Sequence, residues 1–169
     1  RNGNGTIDSG DKYFYYKPDA DVITGFASKF TYKNWDLGFS MRASLGNYVY
    51  NDSFAGNYNV GKGAIYTLGY LGNRTTDAVA LNFQSPLTEQ VYSDYFVQDA
   101  SFLKMDNITL GYSFDKLFGA NISGRVYATV QNVFTITKYD GIDPEVAGGI
   151  DNNLYPRPIT SILGLSLNF

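Results

Sequence analysis

Five stretches of the chain alternate between apolar and polar residues, and this alternation constrains the fold more than any other feature. It is clearest from Trp35 to Leu45, where the odd positions are apolar and the even positions are Asp, Gly, Ser or Arg. A period of two residues sustained over about a dozen residues is typical of a β-strand with two different faces, and an amphipathic helix does not produce it. The sequence therefore predicts an all-β fold of antiparallel strands over 22–33, 36–48, 101–114, 121–133 and 159–169.

The connections between these strands alternate in length. Lys33 and Asn34 predict a tight turn that makes a hairpin of the first two strands, and a second short turn joins the third strand to the fourth. The other two connections, 49–100 and 134–158, are long. Long irregular loops are uncommon in compact domains, whereas membrane β-barrels combine short periplasmic turns with long extracellular loops. The connections therefore favour a membrane barrel.

The two faces of the predicted strands differ as a membrane barrel requires. One face carries Leu, Phe, Val, Ala and Met, and the other carries Gly, Ser, Thr, Asn, Gln and an occasional Arg. The polar set suits a hydrated lumen, and a Lys or Arg on the lipid face would cost about 2–4 kcal/mol near the midplane. Lys104 and Asp106 interrupt the pattern and predict a bulge or the membrane edge there. Aromatic residues beside the short turns suit an interfacial girdle: Tyr32, Trp35, Tyr112 and Phe114.

Five strands cannot stand alone in lipid, because each open edge would leave unpaired backbone groups in hydrocarbon. The sheet is therefore expected to continue in strands outside this chain. The chain starts in a polar segment and stops at Phe169 within an alternating strand. This arrangement predicts a C-terminal fragment of a longer protein, with its C-terminus on the periplasmic side.

Composition restricts the function further. The chain has no His and no Cys, so it has no Ser-His-Asp triad, no cysteine nucleophile and no imidazole or thiolate metal site. With 13 Lys+Arg against 16 Asp+Glu it lacks the basic footprint of a nucleic-acid-binding protein. Nothing in the sequence places two carboxyl groups at the separation that a glycosidase needs. We therefore expect a protein that is not an enzyme and does not bind nucleic acid.

Four segments resemble, in order, the SusC/RagA family of TonB-linked outer-membrane transporters. They are the opening Asn-Gly-Asn-Gly-Thr-Ile-Asp loop, the segments 99–112 and 126–146, and Tyr-Pro-Arg-Pro at 155–158. The resemblance implies a 22-stranded transmembrane β-barrel with a plugged lumen, of which this chain would be the C-terminal part. The plug domain and the TonB box of the family have no counterpart in the chain.

The resemblance also implies a function and a set of partners. It implies import of oligosaccharides or peptides across the bacterial outer membrane together with a SusD-like surface lipoprotein. The further partners implied are the remainder of the barrel and its plug, the TonB–ExbB–ExbD complex, the barrel assembly machinery and outer-membrane lipid. Two alternatives remain open from the residues: a passive outer-membrane porin-type barrel and a soluble carbohydrate-binding β-sandwich.

The opening loop carries the sharpest local motif. Its oxygen-bearing residues fall at positions 3, 5, 7, 9 and 12 of an EF-hand-like calcium loop: Asn2, Asn4, Thr6, Asp8 and Asp11. Position 1 would precede Arg1, and position 12 is the shorter Asp rather than Glu. An ordinary turn rich in Asn, Gly and Asp would look the same. Calcium here is thus an open expectation, and we expect no other cofactor.

Two further groups of residues are candidates for contact with substrate or a lid. Arg42 and Arg125 are predicted on the inward face, where they would pair with plug carboxylates or an anionic substrate, or simply be solvated. Tyrosines at or beyond the extracellular rim would stack on sugars, contact the lid or pack within the loops: Tyr48, Tyr50, Tyr58, Tyr66 and Tyr70. The last strand resembles the signal read by the barrel assembly machinery through Leu163, Leu165, Leu167 and Phe169.

Overall fold

The structure is a computed structural model that describes residues 3, 9–58, 93–116, 122–152 and 155–168. Within these ranges the chain forms seven strands and one short α-helix. They are β1 (Val22–Tyr32), β2 (Trp35–Leu45), β3 (Tyr48–Tyr50), α1 (Asp52–Tyr58), β4 (Val97–Asp99), β5 (Phe102–Phe114), β6 (Ser123–Thr137) and β7 (Thr160–Asn168). No helix in the described ranges is long and apolar enough to cross a membrane.

The chain divides into two compact units. The first, called here the sheet unit, comprises Ala20–Gly46, Ser101–Lys138 and Pro156–Phe169. It contains one antiparallel sheet with the strand order β1-β2-β5-β6-β7. The second, called the loop unit, comprises Arg1–Asp19, Asn47–Ala100 and Tyr139–Tyr155. The five long strands of the sheet unit are those that the alternation predicts.

The strand ends differ from the prediction by more than two residues at two places. The second strand stops at Leu45 rather than at 48, because Gly46 adopts the left-handed conformation with φ 84°. The fourth strand continues to Thr137 rather than ending at 133, so residues 134–137 are strand and not loop. Both differences occur where the period of two is interrupted, which is why the sequence pattern misplaces them.

A bulge lies where Lys104 and Asp106 interrupt the alternation, as predicted. The pairing between β2 and β5 passes from Ser40 opposite Asn107 to Met41 opposite Met105, which leaves Asp106 as the extra residue. A bulge of this kind keeps the apolar residues of β5 on one face although the sequence period changes.

The register confirms that the sheet has one apolar and one polar face. Leu37, Leu110, Ala128 and Leu163 form one row across four strands. The next row on the opposite face consists of Gly38, Thr109, Thr129 and Ile162. The apolar face is open, and Leu163 is 84% exposed. The sheet unit therefore presents its most hydrophobic surface to its surroundings.

The loop unit has a small core of its own. Val49, Ala100 and Tyr139 are buried together, and Val146 packs against them. A second cluster surrounds the buried ring of Phe96. Helix α1 begins beside it, where Asn51 Oδ1 accepts a hydrogen bond from the Phe54 backbone N–H at 2.9 Å. This is the geometry of an N-cap.

Candidate functional site

The polar face of the sheet holds Arg125 in an ion pair. Arg125 Nε lies 2.9 Å from Asp36 Oδ1, and its Nη2 lies 2.6 Å from Asp36 Oδ2. Asp36 is on β2 and Arg125 on β6, so the pair spans the intervening strand β5. The two side chains cross at Gly111, where a Cβ atom would collide with both of them. The absence of a side chain at Gly111 thus leaves the space in which Arg125 and Asp36 meet.

Tyr127 extends the same arrangement toward β7. Its ring lies over Gly164, where an added Cβ would meet the ring atoms. The guanidinium carbon of Arg125 is 5.0 Å from the centroid of the Tyr127 ring, within cation–π range. Two glycines therefore allow a large cation and an aromatic ring to lie against the sheet.

Arg42 has an acidic partner on the neighbouring strand. Its Nε lies 2.9 Å from Oδ1 of Asp106, the bulged residue of β5. Both side chains are about one-third exposed, 35% for Arg42 and 33% for Asp106. Both predicted arginines thus reach carboxylates of the same sheet.

Neutral hydrogen bonds connect the strands between the two ion pairs. Asn107 Nδ2 donates to Ser40 Oγ at 2.6 Å, and the hydroxyls of Thr109 and Thr129 are 2.8 Å apart. The polar face therefore carries hydroxyl and amide groups between charges that are locally paired. Such a surface can exchange hydrogen bonds with water or with a polar solute.

Sequence reasoning identified the two arginines but missed Asp36 and Asp106. Asp36 stands at a normal polar position, so nothing in its immediate neighbourhood marks it. The signal that would reveal it is the register, which sets Asp36 opposite Gly111 and Gly111 opposite Tyr127. Register between strands distant in sequence is not available from the pattern of one strand.

The predicted tyrosines lie in the loop unit as far as the structure describes them. Tyr48 stacks on Tyr16, with ring centroids 3.8 Å apart and planes 6° apart. Tyr50 makes an edge contact with Phe96 at 6.2 Å, which is packing within the loops. Tyr58 is the last residue of α1, and its side chain lies outside the described part, as do Tyr66 and Tyr70 entirely.

A buried hydrogen bond holds the loop unit together. The Tyr139 hydroxyl donates to Asp151 Oδ2 at 2.6 Å, and both residues are buried. The Asp151 backbone N–H donates to the Tyr50 carbonyl, and the Asp151 carbonyl accepts from the Ser53 N–H, each at 2.9 Å. Burial, followed by the hydrogen bond to Asp151, raises the pKa of Tyr139 above its ordinary value. Asp151 thus links β3, α1 and the segment after β6.

The predicted calcium loop lies mostly outside the described residues, which include Asp11 but not Asn2, Asn4, Thr6 or Asp8. Asp11 ends a short 3-10 turn, Ser9–Asp11. Among the residues that the structure describes, no group of three or more acidic side chains could hold a metal ion. Calcium at the opening loop stays a prediction.

The predicted assembly signal lies on the edge strand β7. Leu163, Leu165 and Leu167 share one face of this strand, because their partners Ala128, Val126 and Gly124 are alternate residues of β6. Phe169 is outside the described residues.

Comparison with known proteins identifies clear relatives. No family model matches the chain. The whole chain is 54% identical over 173 residues to the TonB-dependent receptor SusC of Bacteroides thetaiotaomicron, of which it covers 17%. Over 99% of its length it is 28% identical to the TonB-dependent receptor P3 of Formosa agariphila, of which it covers 18%. The chain thus spans less than a fifth of the length of these curated relatives.

Solved structures show the same fold. The chain superimposes on the RagAB peptide importer in its closed-closed state with a TM-score of 0.66 and 20% identity, covering 98% of this chain and 20% of the solved one. For the RagAB peptide transporter the TM-score is 0.64 and the identity 26%, over 86% of this chain and 17% of the solved one. In both comparisons the chain corresponds to a minor part of a much longer protein.

Proposed function

Because the chain belongs to the SusC/RagA family of TonB-linked outer-membrane transporters, we propose that it forms one side of the barrel wall and adjoining loops of a TonB-dependent nutrient importer. Its sheet of antiparallel strands is part of a large transmembrane β-barrel. The chain covers only 17% of SusC. The activity is therefore proposed for the complete protein of which this wall is a part.

The main support for this proposal is that one face of the sheet is apolar and the other is polar. Leucines of the apolar face are open to their surroundings, and Leu163 is 84% exposed. The polar face has paired charges and neutral hydrogen bonds, among them Arg125–Asp36 and Thr109–Thr129. An apolar exterior and a polar interior characterise outer-membrane barrels that enclose water. In a soluble β-sandwich the apolar face would instead be buried against a second sheet.

The relatives favour an energy-coupled importer over a passive porin. SusC and P3 are both named TonB-dependent receptors, and the solved relatives are described as a peptide importer or transporter. We propose that this protein likewise acts as an importer rather than as an enzyme. Its substrates would be oligosaccharides or peptides.

The proposal includes an orientation and partners. The turn between β1 and β2 would face the periplasm, and the loop unit would lie outside the cell, where it contacts a SusD-like lipoprotein. TonB–ExbB–ExbD would supply the energy, and the barrel assembly machinery would insert the barrel through a signal that includes Leu163, Leu165 and Leu167. Arg42 and Arg125 would line the lumen as members of wall ion pairs.

Uptake in a bacterium that carries the complete transporter tests the proposal. We expect deletion of the transporter to abolish growth on one class of oligosaccharide or peptide as sole nutrient, and complementation to restore it. Loss of TonB should abolish the same growth, because import depends on energy. Growth that needs the transporter but survives without TonB would identify a passive porin and contradict the proposal.

A further inference from the structure

We propose that a groove on the apolar face of the sheet unit binds one phospholipid of the periplasmic leaflet. An acyl chain would lie in the groove, and the phosphate of the headgroup would lie beside Lys33. The inference rests on the part of the proposed function that makes this sheet a barrel wall and turns the β1–β2 hairpin toward the periplasm. It does not depend on which nutrient the transporter imports.

The groove, called here the acyl groove, lies across four neighbouring strands. It has a volume of about 300 Å³, at the lower end of the range for small-molecule sites. Its lining includes residues of β2, β5, β6 and β7, which the register sets in two rows of the apolar face: Trp35, Tyr112 and Val126, then Leu110, Ala128 and Leu163. The groove is therefore part of the surface that faces lipid.

Side-chain size explains the shape of the acyl groove. Ala128 lies between Leu110 and Leu163 in one row of the sheet. Its single methyl group leaves a depression with a larger side chain on each side. An acyl chain in this depression contacts protein below and on both flanks, whereas a flat surface contacts it on one side only. Because dispersion attraction adds up over many atom pairs, the groove should hold one chain longer than the surrounding surface does.

Aromatic rings stand at one end of the acyl groove. Trp35 and Tyr112 are cross-strand partners, and their ring centroids are 4.8 Å apart. Trp35 is the first residue of β2 after the hairpin turn. Trp and Tyr concentrate at the headgroup level of a membrane, and Ala128 lies two residues further from that level than Val126, about 7 Å along the strand. The groove thus runs from the headgroup level into hydrocarbon, as a lipid chain does.

Lys33 provides a positive charge at the same end. Its Nζ lies 5.5 Å from the centroid of the Tyr32 ring, and Tyr32 pairs with Trp35 across the hairpin. The ammonium group is therefore placed at the level of the aromatic rings. The nearby carboxylate of Asp36 belongs to the ion pair with Arg125 on the polar face. Lys33 is thus available to a phosphate that lies above the acyl groove.

An apolar groove with a cation at its outer end matches a phospholipid better than other occupants. A second copy of the protein would need about 800 Å² of contact on each partner, most of it outside the groove. Lipopolysaccharide also carries phosphates and acyl chains, but it occupies the opposite leaflet, away from the β1–β2 turn. A phospholipid with a net negative headgroup has both features at the correct level, since anionic lipids attract lysines near the membrane surface.

Native mass spectrometry of the complete transporter in mild detergent tests the inference. Delipidated protein would be titrated with dioleoylphosphatidylglycerol, and with lipopolysaccharide as the competing class. We expect one phosphatidylglycerol to bind saturably. Ala128→Phe fills the acyl groove with a ring and should abolish this binding. Lys33→Gln should raise the Kd about fivefold, the weight of one lysine beside anionic lipid.

Matched variants separate occupancy of the groove from general damage. Ala43→Phe places the same ring on the apolar face opposite Leu103, outside the acyl groove, and should leave the Kd unchanged. Lys33→Arg keeps the charge and should retain the affinity. Added phosphatidylglycerol should raise the Tm of the wild type and of Ala43→Phe but not that of Ala128→Phe, because only a bound ligand stabilises the folded state. If Ala128→Phe does not fold, the contrast between Lys33→Gln and Lys33→Arg decides.

Several outcomes would overturn the inference. They are the absence of saturable lipid binding, equal binding by the wild type and Ala128→Phe, equal binding by Lys33→Gln and Lys33→Arg, and tighter binding of lipopolysaccharide than of phosphatidylglycerol. Loss of a dimer in Ala128→Phe would assign the groove to a second copy and would also overturn it. TonB-dependent uptake by the wild-type protein would remain in each case if the proposed function is correct, so failure of the lipid site and failure of the importer are distinguishable.

Discussion

A single glycine determines whether charges on two strands that are not neighbours can meet. Gly111 lies between Asp36 and Arg125, and any side chain there would occupy the space of both. The bidentate geometry places this ion pair at the favourable end of partly exposed pairs, which contribute up to about 1 kcal/mol. Gly111 is therefore required for close approach, and its own backbone conformation is that of an ordinary strand.

Substitution of Gly111 tests this requirement. We expect Gly111→Ala to lower the free energy of unfolding of the complete protein by about 1 kcal/mol, because the Arg125–Asp36 pair must separate. Urea titration of the protein folded in lipid vesicles measures the change. Gly38→Ala is the matched control on the same face, since its added Cβ meets only the Ser28 carbonyl oxygen at 3.8 Å. Equal effects of the two substitutions, or an undiminished effect in an Arg125→Gln background, would contradict this explanation.

The Tyr139–Asp151 hydrogen bond makes a second residue-scale prediction, on the loop unit. Tyr139→Phe leaves the buried Asp151 carboxylate without this donor, at a cost of about 2 kcal/mol. The pKa of Tyr139 is raised above its ordinary value of 10.0 in the folded state. The contribution of the phenol is therefore fully present below pH 10 and is lost as the pH rises through the folded-state pKa.

Limited proteolysis of the loop unit at about pH 8 and about pH 11 measures this contribution. The wild-type protein should become more susceptible at the higher pH, and Tyr139→Phe should be susceptible at both. Tyr155→Phe, at an exposed tyrosine of the same unit, should behave as wild type. A wild-type protein equally resistant at both values would show that the phenol has no such role.

At the scale of elements, neighbouring residues of β7 face opposite environments. Leu163 belongs to the apolar row with Ala128, and Ile162 belongs to the polar row with Thr129. A lysine at position 163 would lie in hydrocarbon, whereas a lysine at position 162 would lie in the hydrated interior. Leu163 and Ile162 are adjacent and both aliphatic, so they differ only in the face of the strand on which they lie.

This pair of positions gives the element-scale prediction. We expect Leu163→Lys to lower the free energy of unfolding in lipid vesicles by about 2–4 kcal/mol, the cost of a lysine near the midplane. Ile162→Lys is the matched control and should cost less than 1 kcal/mol on the same scale. The reverse order would show that the assigned lipid-facing side is wrong.

The alternation predicted the long strands and their faces but not the elements of the loop unit. Strands such as β7 can be predicted because successive residues face lipid and water in turn. Their polarity therefore alternates with a period of two. A bulge at Asp106 was one of the two predicted explanations. A charged residue at a position where the alternation calls for an apolar one indicates that the pairing of the strands shifts there. Strands β3 and β4 are three residues long and helix α1 seven, too short to show a period.

Only those residues of the candidate site whose chemical type alone marks them could be predicted from the sequence. Arg42 and Arg125 stand out in the sequence as cations among polar residues, and the register places both on the polar face of the sheet. Their partners depend on register between strands far apart in the chain. The stacking of Tyr16 on Tyr48 depends on a hydrogen bond between the Lys17 carbonyl and the Tyr48 N–H of β3, so single tyrosines could be nominated but not their arrangement.

At the scale of the whole molecule, the sheet has two strands with a neighbour on one side only. In the described part of the chain these are β1 and β7, the first and last strands of the order β1-β2-β5-β6-β7. At a strand edge in hydrocarbon, each backbone N–H or C=O group without a hydrogen-bond partner costs several kcal/mol. In the complete transporter both edges should therefore pair with further strands, outside the part of the chain that the structure describes.

Hydrogen exchange of the complete protein in lipid or detergent tests this closure. An amide that faces an unpaired edge exchanges rapidly, whereas one within a closed barrel opens only with the global structure. We expect alternate amides of β1 and β7, those not engaged by β2 and β6, to be as protected as the amides of the central strand β5. Fast exchange confined to these edge amides, with β5 protected, would show a sheet that ends at β1 or β7. Such a sheet could not span a membrane, and the importer proposal would then have to be abandoned together with the barrel.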